Sequence, residues 1–217
     1  MRYFVDTAVL SDIQALSAEG RIDGVTTNPS LIAQNGSDFK ETIKAICAVT
    51  TTPVSAEVAS PDFESMIREG ETLAALAPNV VVKLPLTAAG LRACAFFQAE
   101  GIKTNVTLCF TLNQALAAAR AGATFVSPFV GRLEDQGEDG IALLSDIRRA
   151  YDRYSYETKI LAASIRSVAH IEAAANAGAD VVTAPAAVLN AMLEHPLTDA
   201  GLQKFEADWR ATGQSIV

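Results

Sequence analysis

The sequence predicts an α/β fold, specifically a (β/α)8 TIM barrel with an additional C-terminal helix. Three observations carry this. Short apolar runs alternate with amphipathic helical stretches along the whole chain. The runs recur about every 20 to 30 residues, the spacing of a βα unit. There are eight of them in 217 residues, a length that one barrel domain spanning 1–217 can use in full.

The first run is "YFVDT" (3–7), followed by the amphipathic "SDIQALSAEG". "GVTTN" (24–28) stops at a proline. "VSAEVA" (54–59) leads into "FESMIREGETLAALA", and "VVVKLP" (80–85) into "GLRACAFFQAEG". "KTNVTL" (103–108) precedes "LNQALAAARAGA"; "TFVSPF" (124–129), "KILAAS" (159–164) and "DVVTAP" (180–185) complete the set. Several helical stretches end in Gly, as helix C-caps do. "AGATFVSP" (121–128) and "AGADVVTAP" (177–185) are internal echoes: helix end, Gly cap, buried strand, Pro stop. A last amphipathic stretch, "DAGLQKFEADWRATGQ" (199–214), has no barrel strand left to cover. It can pack across the barrel mouth or against another subunit. The alternative, a doubly wound open sheet, lacks its G-x-G-x-x-G turn and a second domain.

Composition narrows the function. Half the residues are hydrophobic and 19% are charged, so a large core forms and disorder is excluded. A net charge of -8 argues against a nucleic-acid groove. The start "MRYFVDT" lacks a signal-peptide core, and no apolar run reaches membrane-span length; a cytoplasmic protein is expected. Cys47, Cys94 and Cys109 have no metal or redox spacing and read as reduced, partly buried thiols. The two histidines, His170 and His195, fall in helix-like segments, which leaves no basis for a multi-histidine metal site.

In a TIM barrel the active site lies at the C-terminal ends of the strands. Those ends carry Asp6; Thr26 and Asn28; Glu57; Lys83; Asn105 and Thr107; Ser127, Phe129 and Arg132; Ser164 and Arg166; and Thr183. Each alone has a dull explanation. Asp6 or Asn28 can cap a helix. Thr107 and Ser127 can bond backbone. Lys83 can snorkel to water from the strand rim, and the arginines can be solvated. Taken together, acids and a lysine converging on one mouth are what a catalytic site needs.

A lysine that attacks a carbonyl forms a Schiff base, an electron sink for breaking a carbon–carbon bond. The amine must shed its proton first, and the neighbours Val81, Val82, Leu84 and Pro85 are expected to desolvate it. Glu57 is the candidate for proton traffic, directly or through a water also held by Thr107. Asp6 can move a proton at the hydroxyl beside the cleaved bond. Asn28 and Asn105 suit substrate hydroxyls. Arg132, Arg166, Ser164 and Ser127 suit a terminal phosphate.

The motifs "VDT", "GVTTNPSLI", "VVVKLPLTAAGL", "EGIKTNVTLCFT", "VSPFVGR" and "LAASIRS", in this order, resemble the transaldolases, in their small single-barrel subfamily. The resemblance runs from Asp6 to the "FEADWRATG" tail. It implies that Lys83 forms the Schiff base with a ketose phosphate, that Asp6 is the acid/base group, and that Glu57 and Thr107 hold the catalytic water. It also implies that Thr26, Asn28 and Asn105 are substrate-binding positions, that Ser127, Phe129, Arg132, Ser164 and Arg166 form the donor and phosphate pocket, and that no metal or organic cofactor is needed. Transfer of a dihydroxyacetone unit between sugar phosphates, in the pentose phosphate pathway, is the implied activity. The related fructose 6-phosphate aldolases resemble this pattern too, but with Gln in place of Glu57, Tyr in place of Phe129 and Lys in place of Arg166. Two alternatives are therefore an aldolase that releases free dihydroxyacetone and a sugar-phosphate-binding barrel without catalysis. The subfamily also implies a homo-oligomer, a decamer of two pentameric rings, with the C-terminal helix and its Phe205 and Trp209 packing on a neighbour.

Overall fold

The computed structural model describes residues 1–34 and 38–217. Its elements run β1 (Arg2–Asp6), α1 (Leu10–Ala18), β2 (Gly24–Thr26), α2 (Pro29–Gln34), α3 (Phe39–Val49), β3 (Val54–Glu57), α4 (Phe63–Ala74), β4 (Val80–Pro85), α5 (Ala88–Ala99), β5 (Thr104–Cys109) and α6 (Leu112–Arg120). They continue with β6 (Phe125–Pro128), α7 (Val130–Glu134), α8 (Gly140–Tyr154), β7 (Lys159–Ala162), α9 (Val168–Asn176), β8 (Val181–Ala184), α10 (Ala186–Ala191) and α11 (Pro196–Thr212). The eight strands pair in parallel, each with the next, and β8 returns to β1 with Val181 opposite Arg2, closing the barrel. All eight predicted strands are present, each within a residue or two of its expected limits.

Side chains alternate along each strand, and the two series meet different company. Val5, Val25, Val54, Val82, Leu84, Val106, Val126, Ile160 and Val182 face outward and are buried under helical residues such as Ile13, Ile43, Met66, Phe97, Leu144 and Ile147. The inward series fills the lumen with a smaller cluster: Phe4, Val81, Phe125, Leu161 and Val181. Gly24 belongs to this inward series. A Cβ there would stand 2.5 Å from the Phe4 ring, so glycine on β2 makes room for the aromatic on β1.

Helix starts follow local chemistry. Asp38, Asp62, Thr87, Asp139 and Ser167 each accept a hydrogen bond from the backbone N–H three residues on. Thr111 and Gln114 form a reciprocal capping box on α6. Each such cap contributes about 1 kcal/mol.

The C-terminal helix was expected over 199–214 and instead spans Pro196–Thr212. His195 caps it through Nδ1, which accepts the Leu197 N–H at 3.1 Å, and Pro196 takes the first helical turn, where its missing N–H costs nothing. His195 is thus a cap and not a mid-helix residue; His170 does lie in α9. No residue of α11 is buried. Phe205 is 69% and Trp209 45% exposed, so these aromatics do not cover their own barrel. Cys94 and Cys109 are buried and Cys47 half-buried, all as free thiols. Among the described residues no helix is long and apolar enough to cross a membrane.

Candidate active site

The C-terminal mouth of the barrel opens into a cavity of about 370 Å³. Its chemistry comes from the inward series continued past the apolar lumen. Two residues beyond Phe4 stands Asp6, and two beyond Val81 stands Lys83. Glu57 ends β3 in register with Lys83 on β4.

Lys83 is 6% exposed. Its Nζ forms an ion pair with Glu57 Oε2 at 2.9 Å and donates to the Thr27 carbonyl at 3.0 Å. The apolar shelter expected from its sequence neighbours is not what surrounds the amine. Strand alternation sends Val82 and Leu84 into the outer layer instead. The amine is held by a carboxylate and a carbonyl from β3 and the end of β2.

Asp6 is partly buried on the same cavity. Burial holds its carboxyl above the usual carboxylate range, against the opposing pull of the Thr26 hydrogen bond and of the Lys83 charge. Thr26 Oγ1 donates to Asp6 Oδ1 at 2.7 Å, and Thr183 Oγ1 lies 2.6 Å from Thr26 Oγ1. Asp6 caps no helix. Asn28 does: its Oδ1 accepts the Leu31 N–H at 3.0 Å, so its side-chain oxygen is committed and its amide N–H is what it can offer a ligand.

Below Lys83 runs a fully buried polar chain. Ser127 Oγ donates to Asn105 Oδ1 at 2.7 Å, and Asn105 Nδ2 donates to Ser55 Oγ at 3.1 Å. The chain fixes which way the Asn105 amide points. Ser127 reaches the cavity; Asn105 sits behind it. Ser55 was not singled out in the sequence, although it lies two residues before Glu57 and so on the same strand face.

Strand β5 carries an irregularity at the site. Val106 pairs with Val126, but Cys109 pairs with Pro128, so β5 spends one residue more than β6. Leu108 takes a left-handed φ of 61° there. This bulge lets two consecutive residues, Thr107 and Leu108, both line the cavity. Among the described residues Thr107 Oγ1 is one of two buried side-chain polar atoms without a hydrogen-bond partner, the other being Arg148 Nε. A buried hydroxyl left unpaired beside a cavity calls for a ligand or a water. Ser164, also on the cavity, has a left-handed φ of 58°. Two strained non-glycine residues at one mouth fit a site held in place by its surroundings.

The far wall is Phe129 and Arg132. The Arg132 guanidinium stacks over the Phe129 ring at 4.8 Å, and Phe110 packs edge-on against the same ring at 5.7 Å. Arg166 does not line the cavity. Both its terminal nitrogens bond the Asp135 carboxylate at the rim. Gly131 permits this approach, since a Cβ there would stand 2.7 Å from Arg166 Nε. The structure therefore brings eleven of the thirteen strand-end residues onto one cavity, with Asn105 just behind it and Arg166 at its edge. Among the described residues no cluster of three or more His, Cys, Asp or Glu could hold a metal ion.

The solved structure of a 3-hexulose-6-phosphate synthase superposes with a TM-score of 0.65, covering 88% of this chain and 97% of that one at 18% identity. That likeness concerns the fold, and with the closed parallel barrel it defines the class: a TIM-barrel protein with its polar cavity at the C-terminal mouth. The family model for Transaldolase/Fructose-6-phosphate aldolase matches residues 3–216. A probable transaldolase of Hyphomonas neptunium is 59% identical over 216 residues, and one of Bartonella tribocorum 56%, each aligned over 100% of both chains. One of Caulobacter sp. strain K31 is 57% identical over 217 residues, again over the whole of both. The chain belongs to the transaldolase/fructose-6-phosphate aldolase family, and is an aldolase-type enzyme.

Proposed function

We propose that this enzyme is a transaldolase. It moves a dihydroxyacetone unit from sedoheptulose 7-phosphate or fructose 6-phosphate to an aldose phosphate through a Schiff base on Lys83. The observation that carries this reading is the Lys83–Glu57 ion pair at 2.9 Å on the same cavity as the partly buried Asp6.

The proton of the Lys83 ammonium passes to Glu57, and the freed amine attacks the keto carbon of the donor. The carbinolamine loses its hydroxyl as water, which Glu57 and the unpaired Thr107 hydroxyl receive. The iminium that results is the electron sink. Asp6 removes the proton of the hydroxyl beside the scissile bond, the carbon–carbon bond breaks into the iminium, and the aldose phosphate leaves. A carboxyl whose burial favours the protonated form suits this, because it can return the proton when the next aldehyde is attacked. Asn28, Thr26 and Ser127 hold substrate hydroxyls, and Asn105, behind the wall, acts on the substrate by orienting Ser127. Arg132 and Ser164 on the cavity wall receive the phosphate, and Arg166 joins them from the rim by exchanging the Asp135 carboxylate for it. Phe129 has no proton to give the enamine, so the three-carbon unit waits for an acceptor.

This reading puts the enzyme in the pentose phosphate pathway, in the cytoplasm, as one barrel domain that assembles into a homo-oligomer through exposed α11. The family name also covers aldolases, and one assay separates the two. Fructose 6-phosphate is supplied with and without erythrose 4-phosphate. Turnover that depends on the acceptor is expected; free dihydroxyacetone accumulating without it would make the enzyme an aldolase. Borohydride with donor should add a covalent mass at Lys83 and none in Lys83→Met. A binding barrel without catalysis would give no adduct in either.

A further inference from the structure

The opposite end of the barrel holds a second cavity, about 470 Å³, larger than the one at the active mouth. Its wall includes Arg2, Lys103 and Lys159 and a single acid, Glu157. The three cations are solvent-exposed but share one position in the strand pattern. Each stands two positions before an inward-facing residue: Arg2 before Phe4, Lys103 before Asn105, Lys159 before Leu161. Strand alternation therefore directs all three toward the barrel axis. The Arg2 guanidinium confirms this direction, lying 5.9 Å from the ring centre of Phe125, which floors the cavity.

None of Arg2, Lys103 and Lys159 enters any ion pair among the described residues. The chain has 25 acids against 17 Lys and Arg, yet this rim reverses the ratio, with three cations to one acid. Converging like charges repel one another, and a bound anion removes that cost. The two cavities are separate: Phe4, Val81, Leu161 and Val181 fill the lumen between them.

We propose that this N-terminal mouth is an anion-binding site for a hydroxylated organic phosphate. Arg2, Lys103 and Lys159 receive the phosphate dianion, and Glu157 accepts hydrogen bonds from the ligand's hydroxyls. The volume admits a ligand of sugar-phosphate size. The site is independent of the catalytic assignment, since it shares no residue with the upper cavity.

The test is calorimetric titration of the intact protein at low ionic strength with glycerol 3-phosphate, which has a phosphate and hydroxyls but no carbonyl to react with Lys83. Wild type, Arg132→Ala and the double variant Lys103→Ala/Lys159→Ala are compared. All three substituted side chains project from surfaces, and thermal melts verify that each variant is folded. The expected result is a binding component that survives Arg132→Ala and weakens about tenfold or more in the double variant. Inorganic phosphate should bind this component more weakly than glycerol 3-phosphate does. The proposal is overturned if the double variant binds as wild type does, or if Arg132→Ala abolishes all binding. Equal affinity for inorganic phosphate would remove the hydroxyl contacts and with them the organic ligand.

Discussion

Replacing Glu57 with glutamine keeps the shape of the side chain and one acceptor oxygen, and removes only the charge facing Lys83. At 2.9 Å, with side-chain exposures of 7% for Lys83 and 15% for Glu57, the pair is close to dry. Deleting one partner of a buried pair outright costs about 3–5 kcal/mol, because the remaining charge is stranded. Here Lys83 keeps its bond to the Thr27 carbonyl and can still donate to the glutamine oxygen. What is lost is the charge-assisted share of one bond, about 1.5–3 kcal/mol. For a chain of this length that lowers Tm by about 3–12 °C. The catalytic cost is separate. Without a base beside the amine, borohydride-trapped adduct formation and turnover should both slow by about 10²–10⁴-fold. Calorimetric melting and a trapping time course measure the two effects on one preparation. A Glu57→Gln enzyme that melts lower but forms its adduct at the wild-type rate would refute the proton route. The carboxylate would then serve only to neutralise Lys83.

Asp6→Asn should abolish turnover and yet stabilise the fold at neutral pH. Burial raises the folded-state pKa of Asp6 above its unfolded value, so its contribution is fully present below the unfolded value, about 3.9, and is lost as pH rises through the folded one. Melts across pH should show the variant's advantage at pH 7 vanishing toward pH 3; an advantage that grows on acidification would contradict the assignment. Phe129→Tyr supplies a hydroxyl at the enamine and should raise the ratio of free dihydroxyacetone to transferred product, a ratio read directly in the acceptor-dependence assay. Arg166→Ala should raise KM for phosphorylated donors far more than for free dihydroxyacetone, one charge-assisted contact being worth about 1.5–3 kcal/mol; equal effects would leave Arg166 as the partner of Asp135 and nothing more. Ser55→Ala strands a buried Asn105 N–H, which should cost about 1–3 kcal/mol of stability, and should lower kcat if the amide's orientation serves the substrate. Unchanged kinetics at reduced Tm would confine Ser55 to structure.

The strands were legible because strand signals are local. "VVVKLP" reads as a β-branched run whichever strands it later pairs with, and the stops at Pro29 and Pro85 are written in the adjacent residues. The C-terminal helix α11 starts a few residues earlier than the sequence predicts, because its start depends on a histidine side chain acting as cap, a use that the residue type does not announce. At the site, eleven lining residues are legible as strand ends, a rule that needs only order and alternation. Their company was not legible. Apolar neighbours in sequence suggested a greasy shelter for Lys83, but neighbours in a strand point to opposite faces. The residues that do surround the amine come from the adjacent strands.

The order of the strands, the two faces of each and the polar groups at their ends were thus determined by the sequence alone, since each depends on residues a few positions apart. Tertiary structure alone decided the rest: the register of β3 with β4 sets which acid meets the lysine, the pairing of β5 with β6 sets where β5 bulges to expose the Thr107 hydroxyl, contacts across the lumen set which way the Asn105 amide points, and closure of β8 onto β1 brings Arg2 to the same mouth as Lys103 and Lys159. Closure turns eight separate strand ends into a ring, and distances across a ring are set by strand register and stagger, which no local stretch of chain encodes.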